Sequence, residues 1–222
     1  MKIGAIVAAG GTSQRFGADK LALILNGKSV LAWSQNALLK HEKIEKVVTV
    51  CSDVEYYSKI GIKSQYMSYV LGGVVREESV KNGFELLKDF DIVLVHDGAR
   101  PFLNQRIIDN LLGCANEAAC VIPTIPCNSA LKSVKSGFVT DHENKKFMMA
   151  QTPQLVWCEP LYLAFEKFGD RLSDFPDESS MISELGLHVK AIPGSSANIK
   201  ITNPDDEVIA RALSMELLRT QK

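Results

Sequence analysis

Strand-like and helix-like segments alternate along this chain, and that alternation limits its fold more than any other feature. Residues 3–7, 46–51, 91–96, 119–123 and 188–192 are short runs rich in apolar and β-branched residues. Between them, Val30, Trp33, Ala37 and Leu38 share a helical face, as do Val80, Phe84 and Leu87, and then Ile107, Ile108, Leu111 and Leu112. Such alternation predicts an α/β fold, a mostly parallel sheet with helices on both faces. Ligands of these sheets belong at the carboxyl ends of the strands. One segment breaks the pattern. Residues 129–134 and 138–140 flank Ser136-Gly137 and read as a β-hairpin, and the following residues 141–146 are too polar for a core. The stretch 124–150 is therefore expected to project as an arm. The last helix opens with Asn203 as N-cap, Pro204 at the first helical position and Asp205 and Asp206 in the first turn. Val208, Ile209, Ala212, Leu213 and Leu217 would form its apolar face.

At 222 residues the chain is expected to be one domain with a large core. Its 25 Lys and Arg nearly cancel 26 Asp and Glu, which gives no support for binding nucleic acid or membrane by bulk charge. Any anion site must be local. No apolar run approaches a membrane span and no signal-peptide pattern opens the sequence, so a cytoplasmic protein is expected. The five cysteines, Cys51, Cys114, Cys120, Cys127 and Cys158, include no C-x-x-C pair, and His41, His96, His142 and His188 include no H-x-x-x-H pair. Neither a zinc site nor a disulfide framework is expected.

Directly behind the first strand comes Ala8-Ala9-Gly10-Gly11, followed by Arg15, Gly17 and Lys20. Small residues let backbone N–H groups approach an anion, a helix N-terminus adds partial positive charge, and Arg15 and Lys20 supply full charges. An ordinary strand-to-helix turn would use the same glycines for geometry alone. Neither G-x-G-x-x-G nor G-x-x-x-x-G-K-[ST] is present.

Other polar groups fall where strands end. Gly72-Gly73 and Ser79, with Arg76 between them, would present backbone and hydroxyl groups to a base or sugar, or would cap the helix containing Val80. The apolar run before His96-Asp97-Gly98-Ala99-Arg100-Pro101 delivers Asp97 to the sheet's carboxyl edge. There it would hold Mg²⁺ or a sugar hydroxyl, or cap a turn with Arg100 as its ion-pair partner. Gln151-Thr152-Pro153-Gln154 reads as a polar turn, and Asp177-Glu178-Ser179-Ser180 as the start of a helix ended by Gly186. Lys200 sits in the alternating run 198–202, which reads as a strand with an exposed lysine.

In combination these segments are more specific. The order A-A-G-G-x-x-x-R-x-G-x-D-K, G-G-x-x-R-x-x-S-V, V-H-D-G-A-R-P, Q-T-P-Q, D-E-S-S and N-I-K-I-T resembles the 2-C-methyl-D-erythritol 4-phosphate cytidylyltransferase family along essentially the whole chain, with the ribitol-5-phosphate cytidylyltransferases as close relatives. The resemblance implies a Rossmann-like nucleotide-diphospho-sugar transferase fold, CTP as co-substrate, Mg²⁺, a polyol phosphate acceptor, a place in non-mevalonate isoprenoid synthesis and a homodimer with exchanged arms. It implies that Ala8, Ala9, Gly10 and Gly11 line the CTP site, that Gly73 and Ser79 face the cytosine with Arg76 in support, and that Arg15, Lys20 and Lys200 handle the reacting phosphates. Asp97 and Arg100 would lie near the ribose and the acceptor, with Asp97 the candidate metal ligand, and Thr152 and Ser129 would contact the acceptor.

Three positions depart from the family's pattern. Asp19-Lys20-Leu21 replaces P-K-Q, Asn128-Ser129 replaces an Asp-Thr pair in the arm, and Asn144 stands where an arm arginine is expected. Lys145 or Lys146 is then expected to supply the missing charge across a two-fold axis. The alternatives that the sequence leaves are a ribitol-5-phosphate cytidylyltransferase and an inactive nucleotide-binding regulator.

Overall fold

The computed structural model describes residues 1–11, 15–142 and 146–219. Its strands are β1 (Ile3–Ala9), β2 (Ile24–Leu25), β3 (Lys28–Ser29), β4 (Ile44–Cys51), β5 (Met67–Leu71), β6 (Ile92–Asp97), β7 (Cys120–Pro126), β8 (Lys132–Lys135), β9 (Phe138–His142), β10 (Met148–Ala150), β11 (Gln154–Trp157) and β12 (Val189–Pro193). Its α-helices are α1 (Val30–Leu39), α2 (Val54–Ile60), α3 (Arg76–Phe84), α4 (Gln105–Gly113), α5 (Cys158–Phe168), α6 (Glu178–Glu184) and α7 (Pro204–Arg219).

β1 is central, pairing in parallel with β4 on one side and β6 on the other, and β5 continues the parallel set beyond β4. β11 runs antiparallel between β6 and β7, β10 also pairs antiparallel with β7, and β12 pairs with β7 in parallel. A strand buried on both faces needs apolar side chains on both, and β1 has them. Ile3, Ala5 and Val7 enter the core shared with α1 and α4, while Ile6 enters the core under α3 and α5. β6 divides in the same way, Ile92 and Leu94 to one side and Val93 and Val95 to the other. The mostly parallel sheet with helices on both faces is thus the predicted architecture.

Close approach of α3 depends on Gly83, where an added Cβ would meet Val50 Cγ2 at 2.6 Å and Ile6 Cγ2 at 3.1 Å. Beside it, Phe84 packs on Phe165 of α5 with ring centroids 5.6 Å apart. All five cysteines are free.

The hairpin also forms where expected. β8 and β9 are joined by Ser136-Gly137, both at positive φ (50° and 83°), as a two-residue turn matching the twist of the strands requires. Leu131, Val134 and Phe138 on this arm are exposed.

Two expectations fail. Residues 198–202 form no strand: the Ile201 N–H bonds to the Ala99 carbonyl, and the Asn198 carbonyl receives side-chain donors, so the segment is tied to a loop and not to a ladder. On α7, Val208 and Ile209 are 71% and 50% exposed, and the helix turns Ala210 and Ser214 inward. Leu213 packs against the core beside these two small residues, as expected, whereas Val208 and Ile209 mark the wrong side. Its N-terminus is capped as predicted, with Asn203 Oδ1 accepting from the Asp206 N–H at 3.3 Å.

Candidate active site

The carboxyl ends of β1 and β6, the loop after β5 and the segment before α7 surround a cavity of about 560 Å³. Ala8, Ala9, Gly10 and Gly11 form one wall, with Arg15 and Lys20 above it. Lys20 is set by a turn in which Asp19 accepts from the Leu21 N–H through Oδ1 and from the Ala22 N–H through its carbonyl. Arg15 is exposed and Lys20 half-buried, and among the described residues no carboxylate lies within ion-pair distance of either. Burial, together with Lys200 and Arg15 nearby, lowers the Lys20 pKa. Crowded cations of this kind have most to gain from an anion.

Opposite them stands Asp97, at the last position of β6. Its Oδ2 lies 3.1 Å from Lys200 Nζ and 3.2 Å from Arg100 Nε, and its Oδ1 lies 3.8 Å from Arg76 Nε. Burial alone would raise its pKa, but the charges of Lys200, Arg76 and Arg100 outweigh burial and hold the carboxyl well below the usual carboxylate range. Asp97, Arg76 and Lys200 line the cavity. Arg100 sits behind Asp97, nearly buried, with Nη1 donating to the Asn198 carbonyl at 2.8 Å. Both readings of Asp97 therefore meet: it pairs with Arg100 in a tight turn and also presents to the cavity.

The loop before α3 spends its N–H groups on the end of β4 and on side chains of α3. Gly72 N–H donates to the Cys51 carbonyl, Gly73 N–H to Ser79 Oγ at 3.1 Å, and Val74 N–H to Glu78 Oε2 at 2.8 Å. The Ser79 hydroxyl in turn donates to the Val75 carbonyl at 3.0 Å. An added Cβ on Gly73 would meet Glu78 Cβ at 2.4 Å, so the inward fold of this loop requires glycine.

Besides Arg100, three predicted residues that the structure describes lie outside this cavity. Thr152 is buried, its hydroxyl shared between Asp97 N–H and the His96 ring. One lone pair of that oxygen stays open for the acceptor contact that the resemblance implies. Ser129 and Lys146 line a second cavity of about 550 Å³ at the root of the arm. Lys145 and Asn144 lie outside the described residues.

A model of the 2-C-methyl-D-erythritol 4-phosphate cytidylyltransferase family matches residues 3–216. This chain belongs to that family. The curated relative of that name from Syntrophus aciditrophicus is 32% identical over 223 residues, with 95% of each chain covered. The one from Clostridium beijerinckii is 33% identical over 217 residues, covering 94% of this chain and 96% of the relative. The crystal structure of the Francisella tularensis enzyme superposes with a TM-score of 0.85 at 23% identity, covering 96% of this chain and 100% of that one, and so shares the fold.

In this cytidylyltransferase the D-E-S-S motif, read from the sequence only as a helix start, holds a charged group that acts beside the cavity. Glu178 is fully buried and grips the Arg76 guanidinium with both oxygens, at 2.6 and 3.1 Å. Burial would lower the Arg76 pKa, but Glu178, Asp97 and Glu77 raise it further. The Asp177 beside it caps α6 as expected, accepting from the Ser180 N–H at 2.9 Å. Val74, Val75, Leu21, Ala99 and Thr202 complete the lining and carry no signal of their own in the sequence.

Proposed function

We propose that this chain transfers the cytidylyl group of CTP to 2-C-methyl-D-erythritol 4-phosphate in isoprenoid precursor synthesis. The observation that carries this reading is the cavity itself: Arg15 and Lys20 are unpaired by carboxylates among the described residues, and they face an ionised Asp97 that fixes Lys200 at 3.1 Å. A phosphate oxygen of the acceptor attacks the α-phosphorus of CTP, the bond to the β-phosphate breaks, and pyrophosphate leaves. The nucleophile is already ionised, so no strong general base is needed. The main requirement is positive charge placed in advance around the phosphoryl group and the leaving pyrophosphate.

Lys20 and Arg15 supply that charge on the triphosphate side. Lys200, held by Asp97, positions the acceptor phosphate against the α-phosphate. The loop carrying Gly73, Val74 and Val75 lines the cavity and is read as the wall that faces the cytosine. Mg²⁺ fits this donor set. It keeps several waters and commonly takes one or two carboxylates plus substrate phosphates, and Asp97 is the carboxylate that lines the cavity. When bound it would neutralise phosphate charge.

The chain is read as one nucleotidyltransferase domain working in the cytoplasm, with the arm at about 124–150 exchanged in a homodimer. The arm's exposed Leu131, Val134 and Phe138 support this, since exchange in a symmetric dimer would cover them. Ser129, Lys145 and Lys146 then serve the acceptor phosphate of the neighbour. Pyrophosphate release from CTP with 2-C-methyl-D-erythritol 4-phosphate, and with D-ribitol 5-phosphate, tests the reading. Preference for the ribitol compound overturns the acceptor assignment. CTP binding without turnover on either acceptor overturns the enzyme assignment.

A further inference from the structure

Residues 194–203, between β12 and α7, belong to no helix or strand, so the place of Lys200 is set by tethers from outside its own segment. Gln151, read from the sequence only within a polar turn, supplies one of them. It directly follows β10, is 4% exposed, and its N–H donates to the Pro123 carbonyl of β7 at 2.8 Å. Its backbone is thereby fixed to the sheet. From there its side-chain amide engages the loop with both ends: Nε2 donates to the Ser195 carbonyl at 2.8 Å and to the Asn198 carbonyl at 3.3 Å, while Oε1 accepts from the Ser195 N–H at 3.1 Å. Two carbonyls only accept and the Ser195 N–H only donates, so the amide has one satisfied orientation. A carboxylate of the same shape would set an anion against two carbonyl oxygens, and an apolar side chain would leave all three groups without this partner.

The groups held in this way are the ones that shape the loop. The Asn198 N–H closes a turn onto the Ser195 carbonyl at 3.0 Å, and the Asn198 carbonyl also receives Nη1 of Arg100, the arginine paired with Asp97, at 2.8 Å. Gln151 and Arg100 thus converge on one oxygen, two residues before the lysine whose Nζ lies 3.1 Å from Asp97. Gly194 shows how closely the amide is seated. An added Cβ there would meet Gln151 Oε1 at 2.4 Å and the Thr124 carbonyl oxygen at 3.2 Å.

We infer that Gln151 is a positioning residue for cytidylyl transfer: its side-chain amide clasps the Ser195–Asn198 turn and so sets the Lys200 ammonium against Asp97 and the reacting phosphates. Gln151 does not line the cavity, and it acts through the lysine alone. The clasp rests on the hydrogen bonds, and its kinetic consequence rests on the transferase reading proposed above.

The test compares Gln151→Met, which keeps the length and loses both hydrogen-bonding groups, with Gly194→Ala, whose methyl displaces the amide from the other side. Each is made alone and together with Lys200→Ala in the full chain. Loss of a supporting group in a site of this kind costs about 10- to 100-fold. Each single variant is expected to lose that much kcat, with KM for CTP within about threefold of the unsubstituted protein. Beside Lys200→Ala, neither substitution is expected to lower kcat further by more than about threefold, because residues acting through one group are non-additive. Losses that multiply with that of Lys200→Ala, a rise in KM for CTP as large as the fall in kcat, or an unchanged kcat in both variants would overturn the clasp. Thermal melts show which variants fold, and Gly194→Ala carries the comparison where Gln151→Met does not.

One readout needs no turnover. The Ser195 amide is expected to exchange slowly with solvent in the unsubstituted protein and to lose that protection in Gln151→Met and in Gly194→Ala. A Ser195 amide that exchanges freely in the unsubstituted protein defeats the clasp whatever the kinetics. Protection of Ser195 in a protein that turns over neither acceptor counts against the transferase reading instead.

Discussion

Glu178 on α6 and Arg76 at the start of α3 form a two-point ion pair, 2.6 and 3.1 Å, that ties the cavity wall to an otherwise remote helix. The carboxylate is fully buried while the arginine side chain keeps 25% of its surface, so the pair spans from core to cavity. Its bidentate geometry holds the guanidinium in one orientation, with Nε left 3.8 Å from Asp97.

Glu178→Gln removes the charge and keeps the shape. Breaking a buried pair by removing one partner costs about 3–5 kcal/mol, and the exposed part of Arg76 places this one at the low end, about 3 kcal/mol. The released arginine is expected to draw closer to Asp97 and compete with Lys200 there, so kcat should fall as well. Urea unfolding and pyrophosphate release measure the two effects. An unchanged midpoint would show that the pair contributes nothing to the fold.

Lys20→Ala and Lys200→Ala should lose turnover far more than stability, because neither side chain enters the core. By analogy with a missing oxyanion donor, each is expected to lower kcat by about 10²- to 10³-fold. Lys200→Ala also leaves Asp97 with two arginines, enough to keep it ionised. Steady-state kinetics beside thermal melts decide the matter, and a variant with near-normal kcat removes that lysine from the mechanism.

Stability should depend on pH through His96. Its folded pKa is about 4, below the ordinary value of 6.5, so between those values the unfolded chain binds the extra proton and folding is penalised. Stability therefore falls as pH drops from about 6.5 to about 4, by about 3 kcal/mol in total, and this group adds no further loss below that. Asp97, whose folded pKa is depressed, contributes stability that is lost only under more acidic conditions. Denaturant midpoints across this range should flatten in His96→Phe relative to the unsubstituted protein. Parallel curves for the two proteins would refute the assignment.

The architecture was legible because strands and helices carry opposite periodicities, and the cavity because Ala8 to Gly11, Lys20, Asp97 and Lys200 lie where strands or loops reach one edge of the sheet. Glu178 stood in the D-E-S-S motif, but its pairing with Arg76 was not legible. A glutamate in the first turn of a helix is favourable at a surface for its charge alone, and sequence does not reveal that this one is buried against an arginine 102 residues away. Thr152 was visible as a motif residue but its bonds to the Asp97 N–H and the His96 ring were not, since those depend on tertiary packing. The loop holding Lys200 alternates like a strand, yet its partners are Ala99, Arg100 and Gln151, all distant in sequence.

The arm offers the last test. Phe138 is 77% exposed and Val134 62%, on a hairpin that reaches away from both cores of its own chain. A two-fold interface contains each residue twice, so burying Phe138 at about 2–3 kcal/mol per copy contributes about 4–6 kcal/mol to association. Phe138→Asp reverses that gain and adds the cost of a buried charge, which should weaken dimerisation by at least about a thousandfold. Sedimentation over a concentration series should show the unsubstituted protein as a dimer and the variant dissociating. Because the arm is read as completing the neighbour's acceptor site, the variant's KM for the polyol phosphate should rise while its KM for CTP stays nearly constant. Lys145→Ala/Lys146→Ala should reproduce the kinetic change without the dissociation, since those lysines supply charge and not apolar contact. A monomeric unsubstituted protein at assay concentrations, or an acceptor KM indifferent to both variants, would leave each site complete within its own chain.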